Sequence, residues 1–128
     1  MSAIKNFLAD MTPTQQDTYD HIFGSSFDIH SWWGPVRPDW DRREDAPHGW
    51  HVMVPVLDGD SDWRNVMVTH SMILGAMGRL AEGDVKYATD SVELECREFL
   101  KDPENADFDA ATADEVMQMV TLGEIVYG

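Results

Sequence analysis

Cysteine is almost missing from this sequence. Cys96 stands alone among 128 residues, so no disulfide can close within the chain, as expected of a protein kept in a reducing compartment. Bases are scarce: nine Lys and Arg face 24 Asp and Glu, for a formal net charge of −15. Each phosphate contact normally draws on a cation, so direct binding of nucleic acid or an anionic membrane is not expected. No run approaches the roughly 20 apolar residues that span a bilayer. The start, Met1 to Asn6, lacks a basic stretch followed by an apolar one, the pattern of a secretory signal. A cytoplasmic location is the expectation. Catalytic spacing is missing too. There is no His-Glu-x-x-His, no cysteine pair, no Gly-x-Ser-x-Gly elbow and no glycine-rich phosphate loop. The sequence therefore reads as non-enzymatic, with no cofactor.

What is present fits one acidic domain over residues 1–128, a length that can bury its own core. The acid is uneven. Residues 39–62 hold seven carboxylates and residues 83–109 hold nine, whereas residues 63–82 hold only Glu82, balanced by Arg64 and Arg79. That nearly neutral stretch reads as interior, flanked by two acidic blocks. No block is a run of consecutive like charges, so the acid decorates folded elements.

Hydrophobic spacing predicts an α+β fold, with about three antiparallel strands between N-terminal and C-terminal helices. Ile4, Phe7, Leu8 and Met11 suggest a short helix over 3–10. Thr12 can cap a second helix that Pro13 opens and Gly24 ends. Phe27 to Trp32 alternates as a strand, and residues 34–49 read as a long loop. A hairpin is expected at 50–57/63–69, with Trp50, Val52, Val54 and Val56 on one face and Trp50 and Trp63 pairing across it. Pro55 cannot donate to a ladder and points to an edge or a bulge. Met72, Ile73, Met77 and Leu80 line a helix that Gly83 stops. Asp90 or Ser91 caps the next, whose Val92, Cys96, Phe99 and Leu100 share a face, and Thr112 to Glu115 reads as a capping box opening the last.

Few of these residues suggest chemistry. Asp58, Asp60 and Asp62 alternate like the first ligands of a calcium loop, but Trp63 and Thr69 stand where such a loop needs Gly and Glu. A solvated turn is the simpler reading. The five histidines are scattered, and Cys96, on an apolar helix face among Glu93, Glu95 and Glu98, reads as a packing residue rather than a nucleophile. Trp32, Trp33, Trp40, Trp50 and Trp63 interleave with Arg37, Arg42, Arg43 and Arg64, a composition that favours interfaces. The strongest signal is an acidic stripe, Glu95, Glu98, Asp102, Glu104, Asp107 and Asp109, to which Asp58, Asp60 and Asp62 can add. Solubility and adaptation to high salt each explain such a surface, as does mimicry of nucleic-acid phosphates.

The segment Asp107-Phe108-Asp109-Ala110-Ala111-Thr112-Ala113-Asp114-Glu115-Val116, followed by Gly123-Glu124-Ile125-Val126-Tyr127-Gly128, resembles small acidic proteins of actinobacteria and their phages. The resemblance implies a phage or prophage context, in which small acidic proteins often inhibit host nucleases, CRISPR effectors or other DNA-binding proteins. The first expectation is thus an inhibitor that binds a basic host or defence-system protein, of anti-restriction or anti-CRISPR type, through the acidic stripe. One alternative is a protein-interaction module using Trp33, Trp40, Arg42 and Arg43. Another is a small metal- or ligand-dependent enzyme built on the histidines.

Overall fold

The structure is a computed structural model that describes residues 13–23, 32–34, 36, 40, 42–58 and 62–127. The helix expected at 3–10 lies outside the described residues, as does the strand expected at 27–32 except for its last residue.

Helix α1 spans Gln15–Phe23. Its first turn is closed reciprocally: the Asp17 N–H donates to Thr14 Oγ1 at 3.1 Å, and the Thr14 N–H donates to the Asp17 carboxylate at 2.8 Å. The helix therefore starts two residues later than Pro13, with Thr14 rather than Thr12 as its cap. A 3-10 turn over Arg43–Asp45 interrupts the long loop.

Strands β1 (His51–Asp58) and β2 (Asp62–Thr69) form the hairpin within a residue of its expected bounds. Their register sets Val54 opposite Val66 and Leu57 opposite Trp63. Instead of a third full strand, the described residues show one antiparallel bridge, between Trp33 and Val56. Around it the Leu57 N–H donates to the Trp32 carbonyl at 2.7 Å, and the Gly34 N–H donates to the Pro55 carbonyl at 2.8 Å. The N–H and C=O of one strand residue point to the same side, so the missing N–H of Pro55 falls on this far edge of β1, as its chemistry requires.

Helix α2 (His70–Glu82) follows β2 directly, capped by Thr69, whose hydroxyl accepts from the Met72 N–H at 3.2 Å. It stops at Gly83, with φ of 81°. A Cβ there would sit 2.6 Å from the Glu93 carboxylate, which a flexible side chain can withdraw, so it is the left-handed backbone that calls for glycine. Helix α3 (Asp90–Lys101) is capped by Thr89, one residue before the expected Asp90 or Ser91. Helix α4 (Ala110–Leu122) is capped by Asp109, whose carboxylate accepts from the Thr112 N–H at 2.9 Å. The box expected to open at Thr112 does not form, because the helix begins two residues earlier and Thr112 lies in its first turn, while Glu115 turns to another helix. It accepts from the Thr89 N–H at 3.2 Å and from the Thr89 hydroxyl at 3.1 Å, tying α4 to the start of α3.

Among the described residues the buried apolar side chains form one cluster. Val52, Val54 and Val56 of β1 meet Ile73, Met77 and Leu80 of α2, Val92, Cys96 and Phe99 of α3, and Val116 and Met117 of α4. Ala76 is buried on α2, whereas Met72, expected on the apolar face, is 37% exposed. Tyr19 packs edge-on against Trp40 and Trp50, with ring centroids at 5.1 and 5.7 Å. Trp50 does not pair with Trp63. Side chains alternate along a strand, so Trp50 shares the inward parity of Val52 and Val54, while Trp63, opposite Leu57, lies on the outward face.

Candidate protein-binding surfaces

The acidic stripe divides once its hydrogen bonds are followed. Glu95 accepts from the Asp109 N–H at 3.0 Å, and Asp109 in turn caps α4. These two carboxylates hold the 102–109 loop against the helices. Asp102 is exposed and binds Asn105 twice, accepting from its side-chain amide at 2.8 Å and from its N–H at 3.2 Å. Glu98, Glu104 and Asp107 are exposed, and among the described residues no ion pair engages them or Asp102. Glu98, Lys101, Asp102, Asn105 and Ala106 rim a shallow hollow of about 260 Å³. Lys101 is the cation of this face. Earlier on α3, Arg97 is bound to Glu93 at 2.7 Å and to the Ala81 carbonyl at 3.0 Å. Asp62 is exposed at the hairpin tip, while Asp60 and the side chain of Asp58 lie outside the described residues.

Of the aromatic candidates, Trp33 sits inside and Trp40 is half-buried. Trp33 is 1% exposed and packs on Phe23 and Trp32, and Trp40 packs against Tyr19 and Trp50. Trp32 is 4% exposed. Arg42 folds back on its neighbours: its guanidinium donates to Glu44 at 2.7 and 3.0 Å and lies 3.7 Å from Asp45. That hydrogen bond holds the Glu44 carboxyl below its ordinary value.

The outer face of the hairpin was not singled out from the sequence. Its outward positions are His51, Met53, Pro55 and Leu57 on β1 and Trp63, Asn65, Met67 and Thr69 on β2. Met53 lies opposite Met67, and Leu57 opposite Trp63. Trp63 is 54% exposed, Met67 51% and Met53 47%. The near-neutrality of residues 63–82 thus comes partly from an exposed apolar face and not only from interior burial. The signal was present in the sequence: both parities of 50–57 are free of charge, so a strand buried on one face had to leave apolar groups on the other.

The described histidines do not converge on a centre. Among the described residues no three His, Cys, Asp or Glu side chains are placed to hold a metal ion. His30 lies outside those residues, His48 and His51 are exposed, and the His21 ring packs on Phe99 and Phe108. His70 Nδ1 lies 2.8 Å from the Thr18 hydroxyl, bridging α2 and α1. Burial first, and then nearby His48, lowers the His70 pKa below 6.5, against an opposite pull from Asp17. A histidine lowered in the folded state binds fewer protons there than in the unfolded chain. Its contribution is full above the unfolded value, falls as pH drops below about 6.5, and levels off once the folded form also protonates. The melting temperature should accordingly decline on going from about pH 7.5 to about pH 5.5, and His70→Gln should reduce that decline; an identical decline in the variant would assign the effect to other groups.

Burial pushes the Cys96 thiol up to about 12, helped by Glu95 and Glu115, so it stays protonated at neutral pH and packs as a small hydrophobe. Tyr87 has φ of 70°, is 73% exposed, and carries Lys86 Nζ 5.1 Å from its ring centroid. It borders a hollow of about 450 Å³ whose lining includes Arg79, Lys86, Asp84 and Glu124. None of the helices described is long and apolar enough to cross a membrane. Compared with family models, curated proteins and solved structures, the chain matches none.

Proposed function

We propose that this chain is a non-enzymatic domain that binds and inhibits a basic, nucleic-acid-binding protein, presenting carboxylates where that protein takes phosphates. The observation that carries the reading is that Glu98, Asp102, Glu104 and Asp107, at the end of α3 and in the loop after it, are all exposed and outside any ion pair among the described residues. Their display is fixed in advance. Glu95 and Asp109 anchor one end of the 102–109 loop, and the Asp102–Asn105 bonds tighten the other. A prearranged face loses little conformational entropy on binding. Charge of this density steers encounters with a cationic cleft and repels nucleic acid itself. The resemblance to acidic proteins of actinobacteria and their phages makes a host defence or DNA-processing protein the favoured partner.

The test is capture of partners by the tagged protein from a bacterial lysate at low and moderate salt, followed by elution with duplex DNA. A nucleic-acid-binding protein should be retained, weakened by salt and displaced by DNA. The variant combining Glu98→Gln, Asp102→Asn, Glu104→Gln and Asp107→Asn should lose that partner while melting close to the parent, since it removes charge without touching Glu95 or Asp109, and an amide oxygen at position 102 can still accept from Asn105. Equal retention by the variant, or a partner indifferent to DNA, would overturn the reading.

A further inference from the structure

Tyr87 stands where its ring gains little from the fold. The Ala88 N–H donates to the Val85 carbonyl at 3.3 Å, closing a turn with Lys86 and Tyr87 at its centre. Tyr87, the third residue of that turn, has φ of 70°, the pattern of a type II turn, whose third position favours glycine or asparagine. A bulky residue is held there at a cost, and burial does not offset it, because Tyr87 is 73% exposed. The Lys86 ammonium lies 5.1 Å from the ring centroid, a weak contact at so exposed a site. Residues held in this way cluster at binding and active sites.

Tyr87 and Ile125 line two adjoining hollows of about 450 and about 430 Å³, both within the roughly 300–1,000 Å³ of small-ligand sites. The two differ in character. The first is lined by four exposed charged residues, Arg79 and Lys86 with Asp84 and Glu124, and by the buried Met119 and Ile125. Among the described residues no ion pair engages any of the four, although the chain holds 24 acids for its nine bases. The second hollow is lined by Tyr87, Ile125, Val126 and Tyr127 and carries no charged side chain.

A ligand that fits both hollows has charge of both signs at one end and an apolar body at the other. A plain anion would meet Asp84 and Glu124 within the field of a chain of net charge −15, and a plain cation would meet Arg79 and Lys86. A zwitterion offers each of them its opposite and brings no net charge into that field. We propose that the two hollows form one site for an aromatic α-amino acid, with its carboxylate at Arg79 and Lys86, its ammonium at Asp84 and Glu124, and its ring beside Tyr87 and Tyr127. A guanidinium matches a planar carboxylate, and the tyrosine rings offer edge-on or offset aromatic contact. The charged groups are exposed to water, so the affinity is low, on the order of 1 mM. The site uses none of Glu98, Asp102, Glu104 and Asp107, and it survives if the reading of the acidic face fails.

Titration of the isotope-labelled chain with L-phenylalanine into the millimolar range, followed by NMR, tests it. Saturable shifts at the amides of Arg79, Lys86, Tyr87 and Ile125 are the expected result. Phenylalaninamide, which lacks the carboxylate, and N-acetylphenylalanine, which lacks the ammonium, should each bind several-fold more weakly, as should glycine, which lacks the ring. Arg79→Gln should weaken phenylalanine and leave phenylalaninamide unchanged. Tyr87→Gly relieves the left-handed backbone, so it should melt no lower than the parent and yet bind phenylalanine several-fold more weakly. The absence of saturable shifts would overturn the inference, as would a single-charge analogue that binds as tightly as phenylalanine. A Tyr87→Gly chain that melts well below the parent would overturn it too, by showing that the ring serves the fold.

Discussion

Gln118→Leu should destabilise the protein by about 3 kcal/mol or more, although leucine nearly matches glutamine in volume. The side chain of Gln118 is fully buried, and its amide is completely engaged. Its nitrogen donates to the Asp114 carboxylate at 2.9 Å and to the Tyr127 carbonyl at 3.1 Å. Its oxygen accepts from the N–H groups of Val126 and Tyr127 at 2.7 and 2.8 Å. The other oxygen of Asp114 accepts from the Trp32 indole at 2.7 Å, and the Trp32 ring stacks on Tyr127 at 5.3 Å. One amide thus joins α4, the chain after it and the segment that bridges β1. Leucine would strand several of these groups at once, and stranded polar groups cost more than the bonds they had gained. Urea unfolding is the measurement: a midpoint shift worth less than about 1 kcal/mol would mean that water replaces the amide.

Trp33→Ala should cost about 3–5 kcal/mol, whereas Trp63→Ala should stay within about 0.5 kcal/mol. Trp33 is 1% exposed, and its backbone makes the bridge to Val56. Its ring contacts Phe23 and Trp32 with centroids at 6.1 and 6.2 Å. Removing it leaves a cavity where α1, β1 and the 32–34 segment meet. Trp63 is 54% exposed and leaves none. Paired denaturant melts give both values. Equal losses would mean that the outer face of the hairpin is covered.

The legible elements were those whose information is local. β-rich composition and the turn residues between gave β1 and β2 within a residue, because both signals are written in consecutive residues. Gly83 was recognisable as a stop because a left-handed residue after an apolar-periodic run favours glycine. Caps were less legible. The sequence around α1, α3 and α4 offers several Ser, Thr and Asp residues within three positions, each able to accept from a free N–H. The choice fell to Thr14, to Thr89, which Glu115 holds from a distant helix, and to Asp109, whose N–H Glu95 holds.

By itself the sequence determined the α+β class, the hairpin, the order of the helices after it and a surface dominated by acid, since each depends on composition or on near neighbours. Tertiary structure decided which tryptophans are buried and which carboxylates are occupied. Trp33 and Trp63 are chemically identical, and only the register and what packs on each face set one in the core and the other in water. Glu95 and Glu98 lie three residues apart, yet only Glu95 reaches the N–H of Asp109. The reason is physical. Burial and hydrogen bonding between residues distant in sequence depend on how elements pack in three dimensions, which neither spacing nor charge count encodes.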